Sequence, residues 1–196
     1  NTWSQIGGNL EGSVAYQYFG KSVSLNNDGT KVTIGGHGKG FDKYIRGVVR
    51  TYQYSDSAWS QLGSDIIDLQ YGEKFGWAVA LNNDGTILAA SAPSNDTDGT
   101  NKGHVRIYQY SDNAWYQLGN TIVGEANSDE SGESLDINGD GTVVIVGSRY
   151  NDGNGTNAGH ARIYKYSNGS WIQSGSDIDG EHAGDRCGWS VSVNNN

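Results

Sequence analysis

The chain has 196 residues, with 30 glycines, one proline and a net charge of −9. It contains no cluster of Lys and Arg, which argues against a nucleic-acid surface because phosphate binding needs concentrated positive charge. No apolar run approaches the roughly 18 residues of a membrane-spanning helix, so none is predicted.

The sequence repeats with a period of 56 residues and without gaps. The motif LNNDGT begins at Leu25 and again at Leu81, and INGDGT begins at Ile137. Tryptophans mark the same period at Trp3, Trp59, Trp115 and Trp171. Because loop lengths are kept as strictly as strands, each repeat is expected to be one supersecondary unit stacked on its neighbours.

The second repeat shows the pattern within one unit. Its predicted strands cover residues 75–81, 86–92, 103–110 and 114–118. Residues 82–85 form a predicted hairpin turn in which Gly85 supplies positive φ, and side chains of the third strand alternate between two faces. Four short antiparallel strands per repeat predict an all-β fold, a β-propeller with four-stranded blades.

The period divides the chain into about three and a half blades. Residues 1–18 are predicted to hold the last strand of a preceding blade and a connecting loop, and residues 187–196 the first strand of a further blade. The complete predicted blades are 19–74, 75–130 and 131–186. An open stack would expose strand edges, so we expect the rest of a longer chain or further copies to complete the ring.

Two short motifs recur at fixed places in this pattern. Phe19-Gly20 and Phe75-Gly76 open first strands, and Ser91-Ala92-Pro93 ends a second strand before Gly103 to Tyr108. With these marks the whole chain resembles the FG-GAP repeat family, found in the integrin α-subunit propeller and in secreted microbial surface proteins. The resemblance implies a propeller outside the cell or at the cell surface, where it binds protein or glycan partners.

Calcium is the cofactor that the resemblance suggests. The family's site lies in the hairpin between the first two strands, but this chain keeps only its middle positions, such as Asn82 and Asp84, which favours a plain Asx turn. The longer loop has a calcium-like spacing of oxygen donors in two repeats. These candidate ligands are Asp96, Asp98, Asn101, Asp152, Asn154 and Asn157. A glycine-rich loop held by its own hydrogen bonds is the alternative.

Carboxylates gather before each predicted first strand. They are Asp65, Asp68 and Glu73, then Glu125, Asp129 and Glu130, then Asp177, Asp179, Glu181 and Asp185. Together they predict an acidic rim that attracts cations or basic partners, with ordinary solvated charge as the alternative. Arg50, Arg106 and Arg162 recur at one repeat position and are predicted to be structural. The glycosylation candidates are Asn95, Asn154 and Asn168.

The sequence offers no nucleophile with a partnered base and no cluster of His and Cys, and it therefore predicts no enzyme. We predict an extracellular or cell-surface propeller module for the binding, adhesion or scaffolding of macromolecules, with calcium as a candidate stabilising ion. Two alternatives stay open: a lectin whose sugar pockets contain Trp77 and Trp189, and a structural subunit of an extracellular filament or coat.

Overall fold

The chain folds into three antiparallel sheets. The computed structural model describes residues 2–38, 45–68, 70 and 72–194, and no helix occurs in these ranges. The first sheet contains β1 (Ser22–Leu25), β2 (Lys31–Gly36), β3 (Val48–Ser55), β4 (Ala58–Gln61) and β5 (Ile66–Ile67). The second contains β6 (Val79–Leu81), β7 (Ile87–Ala92), β8 (His104–Ser111), β9 (Ala114–Gln117) and β10 (Ile122–Val123). The third contains β11 (Ser134–Ile137), β12 (Val143–Ser148), β13 (His160–Ser167), β14 (Ser170–Gln173) and β15 (Ile178–Asp179).

Each sheet has the strand order of a propeller blade. In the first sheet, β1, β2, β3 and β4 pair in sequence, and the other two sheets repeat this order. The register also repeats, since Val32 pairs with Tyr52 and Leu88 pairs with Tyr108, one period later. The prediction of an all-β fold with four-stranded antiparallel blades is therefore confirmed.

Two details of the strand prediction need correction. The first strand of the second blade begins at Val79 and not at residue 75, because Gly76 has φ +82° and the N–H of Trp77 closes a turn onto the carbonyl of Lys74. The two-residue strands β5, β10 and β15 were not predicted, because an isolated apolar pair carries no periodicity. Each of them pairs with the first residues of the long third strand of its sheet, whose last residues pair with the fourth strand.

An Asx turn joins the first two strands of every blade, as the sequence predicts. In the second blade, Asn82 Oδ1 accepts hydrogen bonds from the backbone N–H groups of Thr86 and Ile87, at 3.0 and 2.9 Å. Asp84 Oδ1 accepts from both the N–H and the hydroxyl of Thr86. The same bonds recur in the other two blades, so these side chains are occupied by turn formation.

The hydrophobic core lies between the blades. One cluster packs Ala89, Val105 and Ile107 of the second sheet against Leu135 and Val144 of the third. A second cluster packs Val49 of the first sheet against residues of the second, including Phe75 and Leu88. Both faces of the second sheet are thus buried, which is how blades stack in a propeller.

The FG motif has a defined structural role. Its glycine donates a backbone hydrogen bond to the residue that opens the second motif: Gly76 N–H to Ser91 O at 2.9 Å, and Gly132 N–H to Gly147 O at 3.0 Å. A Cβ on Gly76 would lie 2.7 Å from the carbonyl oxygen of Val48. The motif therefore brings the backbone of one blade against that of the blade before it, where only glycine fits.

The two flanking segments form no strand in the described residues. Asn1 and residues 195–196 lie outside the described ranges, and the assignment of residues 1–18 and 187–196 to neighbouring blades stays a prediction. Residues 2–18 nevertheless contact the first blade as a preceding blade would, because Ile6 O accepts a hydrogen bond from Trp59 Nε1 at 3.2 Å.

Candidate functional site

A cluster of aromatic and cationic side chains lies where the first two blades meet. The Tyr18 and His37 rings stack with centroids 4.8 Å apart, and the His37 and Trp77 centroids are 5.1 Å apart. Lys21 Nζ lies 4.0 Å from the Trp77 ring centroid, and Lys74 Nζ lies 5.1 Å from it. These five residues are called the first cation–aromatic cluster.

A second cation–aromatic cluster is formed by Arg149, Tyr150, Arg186 and Trp189. The Arg149 guanidinium lies 4.1 Å from the Trp189 ring centroid and 4.5 Å from that of Tyr150. Arg186 lies 5.6 Å from Trp189. The Trp189 side chain is 56% exposed. This cluster therefore offers the exposed Trp189 ring and the exposed Arg186 to solvent, whereas Arg149 is mostly buried and lies 3.3 Å from Glu133 Oε2.

The two clusters occupy equivalent places two repeats apart. Trp77 corresponds to Trp189, Lys74 to Arg186, and His37 to Arg149. The intervening repeat has Glu130 and Glu133 at the Lys74 and Trp77 positions. Glu133 contacts the second cluster, because its Oε2 lies 3.3 Å from Arg149 Nη2, so an acid stands there where the first cluster has Lys21.

A third site lies inside the junction between the first and second blades. Asp68 follows β5, His104 begins β8, and Glu73 lies in the connection between the blades. One ligand atom from each of the three lies within 4.8 Å of the others. Their exposed fractions are 2% for Asp68, 2% for His104 and 4% for Glu73. These three residues are called the buried triad.

The surroundings of the buried triad oppose charge on two of its members. Burial, reinforced by the neighbouring Asp68 carboxylate, raises the pKa of Glu73 to about 7. Burial also lowers the pKa of His104 to about 4, so its imidazole is neutral at pH 7. Arg106 Nη1 lies 3.4 Å from Asp68 Oδ1, which supplies one positive charge at the edge of the group. Desolvation is thus the dominant effect here.

The next junction contains a similar group, Glu125, His160 and Asp177, with different partners. Arg162 Nη2 donates to Glu125 at 2.6 Å and forms a two-pronged pair with Asp177. The nearby buried Asp129 accepts hydrogen bonds from Asn151 Nδ2 and from the N–H of Ala126. The carboxylates of this junction are therefore already engaged in ion pairs and hydrogen bonds.

These positions correct the prediction of an exposed acidic rim. Asp68, Glu73 and Asp129 are buried between blades, and Asp65 and Asp177 bind arginines within their own blades. The exposed acids Glu125, Asp179, Glu181 and Asp185 remain at the surface. Sequence reasoning missed the buried triad because it treated Asp68 as one more surface acid, although every other repeat has glycine there.

The arginines that recur at one repeat position pair with carboxylates of the blades, in keeping with the structural role predicted for them. Arg50 Nε donates to Asp65 Oδ1 at 2.8 Å, and Arg162 makes the same bond to Asp177. The second blade has Thr121 at this acidic position, and Arg106 contacts Asp68. The second blade therefore lacks the acid that pairs with the arginine in the other two blades, and Asp68 pairs with Arg106 in its place.

The predicted calcium ligands lie on two equivalent loops. Asp96 Oδ1 accepts the N–H of Asn101 at 2.6 Å, and Asp152 Oδ1 accepts that of Asn157 at 2.7 Å. Asn154 Nδ2 donates to the carbonyl of Gly180, while Asp98 is exposed. Both loops are thus held by their own hydrogen bonds, and calcium binding there stays a prediction.

The three glycosylation candidates differ in exposure. Asn95 is 1% exposed, and its Nδ2 donates to Thr97 Oγ1 at 3.1 Å. Glycosylation at Asn95 would require this side chain to become exposed, and it stays a prediction. Asn154 and Asn168 are exposed and stay candidates.

Comparison with known proteins gives the fold. No protein-family model matches the chain, and no curated protein matches it. Among solved structures, it is similar to two candidate 6-phosphogluconolactonases, from Bacteroides uniformis (11% identity, TM-score 0.53) and Bacteroides fragilis (18% identity, TM-score 0.53). It is also similar to Sqt1 of Saccharomyces cerevisiae (12% identity, TM-score 0.52). The matches cover 79%, 80% and 81% of this chain but only 39%, 38% and 35% of those proteins.

These neighbours overturn the prediction that the chain is no enzyme. Two of them are named as candidate lactonases, so the architecture is one attributed to enzymes and gives no ground for excluding catalysis. At identities of 11–18% the likeness establishes the propeller-like fold alone, and it assigns no reaction to this chain.

No helix in the described residues is long and apolar enough to cross a membrane.

Proposed function

We propose that this chain belongs to an FG-GAP-type propeller, outside the cell or at its surface, that binds acidic glycans through the two cation–aromatic clusters. The single observation that carries the proposal is the combination of exposed or partly exposed rings with Lys or Arg at equivalent positions two repeats apart. Aromatic rings pack against the apolar face of a sugar, and cations pair with its carboxylate or sulfate groups.

The FG-GAP assignment is supported by the backbone contact between the two motifs. Gly20, Gly76 and Gly132 have φ values of +95°, +82° and +93°, and each donates to the equivalent carbonyl of its own blade. The motif is thus a structural unit that recurs with positive φ and the same backbone bond at each copy, and a Cβ would come within 2.7 Å of a neighbouring atom at Gly76 and at Gly132.

The electrostatics favour an acidic ligand over a neutral one. Lys21 covers one face of Trp77 at 4.0 Å, and Arg149 covers Trp189 at 4.1 Å. A neutral sugar would have to displace these cations from the rings, whereas an acidic sugar pairs in place with Lys21, Lys74 and Arg186. Arg149 is already paired with Glu133 at 3.3 Å. Two such clusters on one chain also allow a polymer to bind at both, which raises the overall affinity through effective concentration.

Binding of the full-length protein to immobilised polysaccharides tests the proposal. Hyaluronan and chondroitin sulfate serve as acidic probes, and dextran serves as the neutral control. We expect binding to the acidic probes that weakens with salt, and a loss of about tenfold or more in Trp77→Ala with Trp189→Ala, since each cluster contributes separately. Trp3→Ala, which removes a fully exposed tryptophan outside both clusters, is the matched control.

Equal binding to dextran would contradict the acidic class. Unchanged binding in the double variant would show that the clusters are not the site, and absence of binding to every probe would overturn the glycan proposal.

A further inference from the structure

We propose that the buried triad, Asp68, Glu73 and His104, binds one divalent transition-metal ion between the first and second blades. The site is separate from the cation–aromatic clusters and from the loops predicted to bind calcium. It joins a segment that follows the first sheet to the first residue of a long strand in the second.

The geometry places three suitable donors around one point. His104 Nε2 lies 4.0 Å from Asp68 Oδ2, and an oxygen of Glu73 lies within 4.8 Å of both residues' ligand atoms. A tetrahedral ion with bonds of about 2.0 Å holds its ligands about 3.3 Å apart, so side-chain shifts of about 1 Å would complete the site. Asp68 Oδ1 faces Arg106, which leaves Oδ2 on the side of His104.

An independent observation concerns hydrogen bonding. His104 Nε2 is buried and has no hydrogen-bond partner among the described residues. Both carboxylate oxygens of Glu73 are also buried, and although the Asp68 and Asn95 side chains lie close enough to affect the pKa of Glu73, neither makes a hydrogen bond of ordinary length and angle to it. Buried polar atoms are nearly always paired, and an unpaired one costs about 1–3 kcal/mol. A metal ion bound between His104 and Glu73 would supply a partner to the buried imidazole nitrogen and to a buried carboxylate oxygen at once.

The repeat itself shows that these residues are not needed for the blade fold. At the position of Asp68 the other repeats have Gly12, Gly124 and Gly180. The first repeat has Gln17 in place of Glu73 and Val48 in place of His104. All three donors therefore meet at one junction only, where the sequence departs from its own pattern.

The equivalent junction between the second and third blades has different side chains at these positions, and its carboxylates are already bonded to neighbouring residues. Gly124 replaces Asp68 there, and Asp129, at the Glu73 position, is bonded to Asn151 and Ala126. His160 remains, but Arg162 occupies the neighbouring carboxylates. This junction provides an internal control.

The donor set indicates the class of metal. One imidazole and two carboxylates suit Zn²⁺, Mn²⁺ or Co²⁺, whereas Ca²⁺ prefers six to eight oxygen ligands. When Glu73 is ionised and His104 is neutral, the charges of Asp68, Glu73 and Arg106 add up to −1. A bound divalent cation would change this net charge to +1. Because all three ligands are buried between two blades, the role of the ion is to stabilise the contact between these blades.

Metal binding by the full-length protein tests the inference. The protein is stripped with a chelator, and Zn²⁺, Mn²⁺, Co²⁺ or Ca²⁺ is then supplied both to the folded protein and during refolding, because the ligand atoms are buried. Bound metal is counted by mass spectrometry of the elements, and the visible absorption of Co²⁺ reports nitrogen and oxygen ligation. We expect one Zn²⁺ or Co²⁺ bound at this site and a higher melting temperature with metal, but no such effect with Ca²⁺.

The variants Asp68→Gly, Glu73→Gln and His104→Val each install the residue that another repeat carries at that position. Each is expected to weaken Zn²⁺ binding by about 100-fold or more, because loss of an outer-shell partner alone costs about 10–100-fold. His160→Val is the matched control and should leave binding unchanged. The inference is overturned if the wild type binds no transition metal, or if the three variants retain the stoichiometry and the Co²⁺ spectrum.

Discussion

Trp115 Nε1 lies 3.0 Å from the carbonyl oxygen of Leu62 and donates a hydrogen bond from the second blade to the first. Trp171 makes the same bond to Leu118 at 2.8 Å, and Trp59 makes it to Ile6. The tryptophan that marks the 56-residue period is therefore an inter-blade contact, and each blade is held by the residue that follows the fourth strand of the blade before it.

Replacing Trp171 by Phe tests the strength of this contact. The change removes the N–H donor and part of a buried ring, and we expect it to lower the free energy of unfolding by about 1–3 kcal/mol. Urea denaturation followed by circular dichroism measures the change. Tyr116→Phe, on an exposed aromatic residue of the second blade, should shift stability by less than about 0.5 kcal/mol. Equal effects of the two variants would show that the inter-blade bond contributes nothing.

The Asx turns give a second prediction. Asn82 is buried, and its Oδ1 accepts two backbone hydrogen bonds. Asn82→Ala leaves both N–H groups without that partner, and we expect a loss of about 1–3 kcal/mol. Asn83→Ala changes the exposed neighbour in the same turn and should be nearly neutral. A thermal melt of both variants distinguishes side-chain hydrogen bonding from a general sensitivity of the turn.

The glycine of the FG motif gives a third prediction. Gly76→Ala combines the cost of positive φ, about 1–2 kcal/mol, with a contact of 2.7 Å to Val48 O. Gly169 has nearly the same φ, +81°, but a Cβ there meets nothing within 4 Å. We expect Gly76→Ala to be clearly more destabilising than Gly169→Ala, as measured by chemical denaturation. If the two losses were alike, backbone conformation and not close packing would explain the motif.

Acid stability gives a fourth prediction. The hydrogen bonds from Arg162 lower the pKa of Asp177 below its ordinary value of 3.8. The folded state therefore binds this proton less readily than the unfolded state, so the contribution of Asp177 to stability is full above pH 3.8 and is lost as pH falls below it. We expect Asp177→Asn to reduce the fall in stability from about pH 5 to about pH 3.

Urea midpoints across that pH range measure the effect. Asp112→Asn, in an exposed turn of the second blade, serves as the control and should keep the acid dependence of the wild type. A variant Asp177→Asn with the wild-type slope would show that the ion pair does not link stability to pH.

The repeat was predictable because its signals are local and redundant. The third strand was expected at residues 103–110 and lies at His104–Ser111, and the hairpin turns were assigned with their bonding side chains. The first strand of the second blade is shorter than predicted because Gly76 has positive φ and lies in a turn. The apolar residues of this turn have the same sequence pattern as the start of a strand. Strands of two residues, such as β10, have no pattern that a sequence can show.

The candidate site was less predictable because it depends on contacts between repeats. Asp68, Glu73 and His104 are up to 36 residues apart in the sequence, and each resembles a familiar type when taken alone. The sequence signal that could have indicated the site is that Asp68 stands at a position where the other repeats have glycine. Trp77 and Trp189 were recognised as equivalent, but the cations that cover them come from different strands and loops.

The tips of the hairpin turns are also linked to one another, since the N–H of Asn27 donates to Asn83 O and the N–H of Asn83 donates to Gly139 O, each at 3.0 Å. Each tip thus gives one backbone donor to the next and offers one acceptor to the previous one. A residue inserted at a single tip would move both groups away from their partners and break the line on both sides. The loop at 93–102 is tied in a different way, to the next connection between blades, because the N–H of Ser128 donates to Thr100 O at 2.8 Å and the N–H of Glu130 donates to Asn101 O at 3.0 Å. The turns therefore have to change length together, because each one is bonded to the next.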